Sequence, residues 1–217
     1  MVQKELAFLF DLNGTIIDDM PFHIKAWHDI LNNLGAIISM EETKLQCYGK
    51  NEELLERVFP ERFTEEEMKM MVMEKETTYQ REFKPYLKLI DGLDKFLEQS
   101  YQAKIKMAIG SAAIPFNINY VLNGLDLNKY FGAIVSAADV VESKPHPETF
   151  LRCAEKSNVA VENCIVFEDS PKGVEAAARA GMKAVVITTM HTKEEFDNDN
   201  IICFIENYHE LFNQLVK

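Results

Sequence analysis

Basic residues are scarce in this chain. Against 35 Asp and Glu stand 23 Lys and Arg, giving a formal charge of −12 and a pI near 4.9. Recognition of a nucleic-acid backbone needs a cationic face, and no Lys/Arg cluster supplies one, so no nucleic-acid partner is expected. Acidity does not exclude phosphorylated substrates, because a bound divalent cation reverses the local field. Cysteine is thin as well: Cys47, Cys153, Cys164 and Cys203. None forms a C-x-x-C pair, which argues against a zinc site and against a dithiol redox centre. Cys164 lies in an apolar strand-like run and Cys153 in a helical one, and both read as small core residues. No apolar stretch reaches membrane-spanning length, and the start shows no charged segment followed by an apolar one. The expectation is a soluble, cytoplasmic protein with reduced thiols, no membrane partner, and a monomeric or weakly dimeric state. No internal repeat or low-complexity tract is visible. Hydrophobic residues are plentiful, at 47% of 217 positions, so a sizeable core can form. The length suits one large domain or a domain carrying an insertion.

The pattern along the chain changes character twice. Residues 5–10 read as a buried strand. Pro21 then suits the first turn of a helix. From there His23, Ala26, Trp27, Ile30, Leu31 and Leu34 recur at helical spacing, with Gly35 as a stop. Ser39 to Glu42 and Thr64 to Glu67 each fit a capping box. Residues 21–82 therefore read as about four helices with no strand between them. From about residue 86 strands and helices alternate. Helices are expected at 91–100, 114–122, 147–157 and 171–180, the last stopped by Gly181. Strands are expected at 104–109, 133–135, 164–167, 184–188 and 201–205, with a closing helix after them. Such alternation argues for a parallel sheet covered on both faces. The all-helical block reads as an insertion: a core of 1–16 and 86–217, and a helical cap of 17–85.

Four segments place polar residues at or just beyond the ends of strand-like runs. Asp11-Leu12-Asn13-Gly14-Thr15 follows Leu6 to Phe10. Ser111 follows Lys106 to Gly110. Ser143-Lys144-Pro145 comes next, and Glu168-Asp169-Ser170 closes the run Cys164 to Phe167. A carboxylate at the end of a buried strand projects from the sheet's C-terminal edge, where ligand sites of open α/β sheets form. Taken in order, these segments resemble the four motifs of the haloacid dehalogenase superfamily, whose members mostly transfer phosphoryl groups. The helical insertion after the first motif is similar to the cap of the β-phosphoglucomutase-like and sugar-phosphatase branch. So is Glu168-Asp169-Ser170-Pro171 followed by Gly173 to Ala177. The resemblance covers nearly the whole chain.

That resemblance implies a Rossmann-like doubly wound core with an all-helical cap, acting on a small phosphorylated metabolite of the sugar-phosphate class. It makes Asp11 the nucleophile that forms an aspartyl phosphate. Mg²⁺ would be held by Asp11, the Asn13 backbone carbonyl and Asp169, with Glu168 binding directly or through water. Ser111 and Lys144 would hold the phosphoryl oxygens, and Lys144 would also restrain the Asp11 carboxylate. In the cap, His23, Lys50 and Lys75 would face the substrate.

Asn13 departs from the family pattern. The phosphatases and mutases carry Asp there, as the group that protonates the leaving oxygen and then activates the acceptor. An amide donates and accepts hydrogen bonds but cannot usefully give up or take a proton near neutral pH. The expectation is that Asn13 keeps phosphate and metal binding and loses much of the turnover of alkyl phosphates. Three explanations stay open: a slow natural phosphatase, a phosphate-ligand binding protein that has lost catalysis, and an introduced substitution that traps a complex. A phosphosugar mutase suffers most, since it needs proton transfer at both hydroxyls. Dehalogenation fits poorly, because Glu168-Asp169 suits a metal that this reaction does not need.

Overall fold

The computed structural model describes residues 5–216 and resolves into two compact units, one of the residues up to Asp18 with those from Lys88 onward, the other Asp19–Leu87. In the first, six strands form one sheet: β1 (Ala7–Phe10), β2 (Lys106–Gly110), β3 (Ala133–Val135), β4 (Cys164–Glu168), β5 (Lys183–Ile187) and β6 (Ile201–Ile205). Their order is β3-β2-β1-β4-β5-β6, and every pairing is parallel. The chain builds outward from β1 to β3 on one side and from β4 to β6 on the other. The order thus reverses between β1 and β4, the switch point beside which ligand sites of such sheets form, at the strands' C-terminal ends.

Strand periodicity divides β1 between two cores. Ala7 and Leu9 join Ala108, Phe150, Cys153, Val166 and Val174 on one face. Phe8 and Phe10 turn to the other, where Phe10 stacks on Phe167 at 4.5 Å and Phe8 on Phe96 at 5.4 Å between ring centroids. Ring pairs of this kind add about 0.5–1.5 kcal/mol each beyond the area they bury.

The second unit is helical: α1 (Met20–Asn33), α2 (Met40–Gln46), α3 (Asn51–Val58) and α4 (Glu65–Phe83). Ser39 and Thr64 form reciprocal capping boxes with Glu42 and Glu67 at the starts of α2 and α4. His23, Ile24, Trp27 and Leu31 supply the buried stripe of α1.

Back in the sheet unit follow α5 (Leu93–Gln102), α6 (Pro115–Gly124), α7 (Glu148–Ser157), α8 (Pro171–Arg179) and the short α9 (Leu211–Leu215). Several boundaries differ from the sequence reading by one or two residues, and two of them have a clear local cause. Helix α5 starts at Leu93 rather than 91, because Gly92 sits at φ +82 and a Cβ there would lie 2.8 Å from the His209 nitrogen. Strand β2 starts at Lys106 rather than 104. Lys104 takes φ +57, and Ile105 N–H donates back to the Ser100 carbonyl at 3.0 Å, so these residues finish α5 instead.

Candidate active site

The sheet brings the first and fourth motifs side by side. Phe10 is in register with Phe167, and the Asp11 N–H continues the ladder by donating to the Phe167 carbonyl at 2.9 Å. Asp11 therefore leaves β1 where Glu168 and Asp169 leave β4. The loop after Asp11 curls tightly: Ile16 N–H donates to the Leu12 carbonyl at 2.9 Å and Gly14 N–H to the Ile17 carbonyl at 2.7 Å. Gly14 is required here on two counts. Its φ is +77, and a Cβ would lie 2.2 Å from Asp169 Oδ2.

Lys144 ties the motifs together. Its buried Nζ donates to Asp11 Oδ1 at 2.5 Å and to Glu168 Oε1 at 2.7 Å, and lies 4.7 Å from the centroid of the Phe150 ring. Glu168 Oε2 accepts from the Ser170 N–H at 2.8 Å and the Ser170 hydroxyl at 2.9 Å. Gly173 makes this possible, since a Cβ there would lie 1.8 Å from Glu168 Oε1. Ser111 stands beyond β2, the other neighbour of β1. It is buried, its N–H bonds the Val135 carbonyl, and its hydroxyl accepts from the Ala113 N–H at 3.1 Å. Asn13 is half-buried and bridges to Ile17.

Electrostatics follow from burial. Asp11, Glu168 and Asp169 are all buried beside the single ammonium of Lys144. Burial raises the Asp169 carboxyl well above the usual range, and the Glu168 and Asp11 charges push it further, against Lys144. For Lys144, burial opposes the charged form, yet attraction to Asp11 and Glu168 outweighs it and holds the ammonium above its ordinary value. The cluster is thus short of positive charge. That deficit suits a small divalent cation. Among the described residues no three His, Cys, Asp or Glu side chains are arranged to hold an ion by themselves.

In the helical unit, His23 and Lys75 come together. Both are buried, with Lys75 Nζ 2.6 Å from His23 Nδ1 and 3.0 Å from Glu76 Oε1. His23 Nε2 lies 3.3 Å from Asp19 Oδ2, and the ring stacks on Tyr79 at 3.7 Å. The Tyr79 hydroxyl also donates to Asp19, while Asn51 donates to Glu76 at 2.7 Å. Lys50 is half-buried at the N-cap of α3, where its N–H donates to Glu53 Oε2 at 3.0 Å.

Sequence reasoning paired Lys75 with Tyr79 at i, i+4 but missed Asp19 and Glu76. It also missed Thr189 and Tyr208, whose hydroxyls donate to the carbonyls of Gly14 at 2.7 Å and Thr15 at 2.9 Å. Burial raises the Tyr208 phenol well above its ordinary value, and the Asp169 and Asp11 charges raise it further, so it stays a donor.

Residues 8–187 match the haloacid dehalogenase-like hydrolase family, and the chain belongs to it. It is 30% identical over 206 residues to the fructose-1-phosphate phosphatase of Escherichia coli, covering 85% of this chain and 97% of that protein. With a phosphorylated carbohydrates phosphatase of Thermotoga maritima it shares 31% identity over 183 residues, covering 82% of this chain and 83% of the other. The crystal structure of a β-phosphoglucomutase from Clostridium difficile superposes with a TM-score of 0.82 at 28% identity, covering 97% of this chain and 93% of that one. No helix among the described residues is long and apolar enough to cross a membrane.

Proposed function

We propose that this hydrolase is a Mg²⁺-dependent phosphatase of small phosphorylated metabolites, of the sugar-phosphate class, working through an aspartyl phosphate on Asp11. The observation that carries the reading is the Lys144 bridge between Asp11 and Glu168 at 2.5 and 2.7 Å, set beside Asp169 at the switch point of the sheet. The sugar-phosphate class is supported by the Escherichia coli and Thermotoga maritima relatives.

In this reading an Asp11 oxygen attacks phosphorus, the bond to the leaving oxygen breaks, and the departing alkoxide takes a proton from solvent. Water then attacks the same phosphorus and gives up a proton to solvent, the bond to Asp11 breaks, and inorganic phosphate is released. Lys144 aims the Asp11 carboxylate and offsets charge on the phosphoryl oxygens. Ser111 contributes a hydroxyl at the end of the neighbouring strand. Asp11, Asp169 and the Asn13 carbonyl would hold Mg²⁺, with Glu168 reaching it through water. Bound there, the cation neutralises the repulsion between an anionic nucleophile and a dianionic substrate. His23, Lys50 and Lys75 of the helical unit would contribute to substrate binding. Asn13 supplies no proton to the leaving oxygen, so alkyl phosphates turn over slowly and substrates with good leaving groups are favoured.

Phosphate release from p-nitrophenyl phosphate and a panel of sugar phosphates, with Mg²⁺ and with EDTA, tests this reading. Activity should need the metal and vanish in Asp11→Asn. Retention of the wild-type rate by Asp11→Asn would overturn it. The likeness to a β-phosphoglucomutase favours a mutase as the second reading. Phosphorus NMR separates the two, since a mutase isomerises the phosphosugar without releasing phosphate. Tight phosphate binding with no turnover would instead identify a catalytically impaired binding protein.

A further inference from the structure

We propose that Thr189 and Tyr208 are positioning residues that fix the loop carrying Asp11 and Asn13, and through it the seat of the cation. The cation is part of the function proposed above, and the inference rests on that reading. The argument begins with the loop's own carbonyls. Those of Leu12 and Ile17 are taken up inside the turn, by Ile16 N–H and Gly14 N–H. The Ile16 carbonyl accepts from the Ile90 N–H at 3.0 Å. Those of Gly14 and Thr15 are held by side chains remote in sequence: Gly14 by the Thr189 hydroxyl at 2.7 Å, and Thr15 by the Tyr208 hydroxyl at 2.9 Å.

These two bonds set the rotation of consecutive peptide planes, on either side of the Thr15 Cα. Gly14 has no room to adjust independently, because its Cα packs against the Asp169 carboxylate, with only 2.2 Å between a would-be Cβ and Oδ2. A rocking of the Gly14–Thr15 peptide would therefore move Asp169 or collide with it. It would also redirect the Asn13 carbonyl one peptide earlier. Both anchors are themselves held. Thr189 follows β5, and the Thr188 N–H bonds the Ile205 carbonyl at 2.9 Å. Tyr208 is buried in the aromatic face, 5.5 Å from Phe96 and 6.0 Å from Phe167 by ring centroid, and its N–H bonds the Asp91 carbonyl at 2.9 Å. The Tyr208 ring packs as a phenylalanine would, so the hydroxyl alone makes the link to Thr15.

The test compares Thr189→Val, Thr189→Ser and Tyr208→Phe in the full chain. Mg²⁺ affinity is measured by calorimetry, and exchange of the Gly14 to Ile17 amides by hydrogen–deuterium exchange without metal. Loss of one hydrogen bond predicts Mg²⁺ affinity weaker by roughly two- to tenfold in Thr189→Val and Tyr208→Phe, with faster exchange confined to the loop. Thr189→Ser keeps the hydroxyl and should restore both readouts. Unchanged affinity and unchanged exchange in Thr189→Val and Tyr208→Phe would overturn the proposal. So would equal loss in Thr189→Ser, which would make packing rather than the hydroxyl responsible. If Thr189→Val fails to fold, Tyr208→Phe decides alone, since it keeps the ring. If the wild-type chain binds no Mg²⁺, the functional reading fails, and loop exchange alone decides whether the anchors hold.

Discussion

At residue 13 the chain carries an amide, where the proposed acid–base chemistry would use a carboxyl. Asn13→Asp is expected to raise turnover of an alkyl phosphate by about 10²-fold or more, the usual worth of such a group. Steady-state rates on sugar phosphates measure this, and an unchanged rate would place proton transfer on another residue. Asn13-Gly14 is prone to deamidation, so peptide mapping must accompany the assay. A second expectation concerns Asp169. Its carboxyl is raised in the folded chain by burial and by Glu168 and Asp11. The folded state then binds more protons than the unfolded one between the two pKa values. Stability without metal accordingly falls as pH rises through that window. Asp169→Asn should raise the metal-free melting temperature at pH 7 and remove the rise that Mg²⁺ gives the wild type. Scanning calorimetry with and without EDTA checks both, and a lower metal-free Tm in the variant would contradict the account.

Among the elements, helix α4 depends on its start. Thr64 and Glu67 exchange hydrogen bonds there, at 3.3 Å from the Glu67 N–H to the Thr64 hydroxyl and 2.8 Å from the Thr64 N–H to Glu67 Oε2. Thr64→Ala should cost about 1 kcal/mol in urea unfolding, with the m-value unchanged. This cap was legible in the sequence because a capping box is a local pattern. So were the ends of β1 and β4, where an apolar run stops at a carboxylate. The start of β2 was not, because Lys104 takes a left-handed conformation that its residue type does not announce. The anchors Thr189 and Tyr208 were hidden for a different reason. Each acts on a backbone carbonyl more than 170 residues away, at separations of 175 and 193, and a hydroxyl in a loop looks like any other until the sheet closes. Glu76 was hidden similarly, because it meets His23 only once α1 and α4 have packed together.

For the molecule as a whole, the sheet order has a consequence in time. β1 is the first strand to be made and the central one in the finished sheet, between β2 and β4. Its four residues are wholly apolar and fully buried. One edge waits for Lys106 and the other for Cys164. At translation speeds of about 5–20 residues per second, the first partner emerges roughly 5–20 s later. Throughout that interval the ribosome displays a sticky, unpaired strand followed by a helical segment that is already complete. Chains stalled after residue 90 should show Asp19–Leu87 resistant to protease while β1 remains cleavable or chaperone-bound. Early resistance at β1 would refute this order of events. With the proposed nucleophile on the strand translated before the sheet's other five, and closed on its second edge only by Cys164–Glu168, the candidate site cannot assemble until most of the polypeptide has left the ribosome.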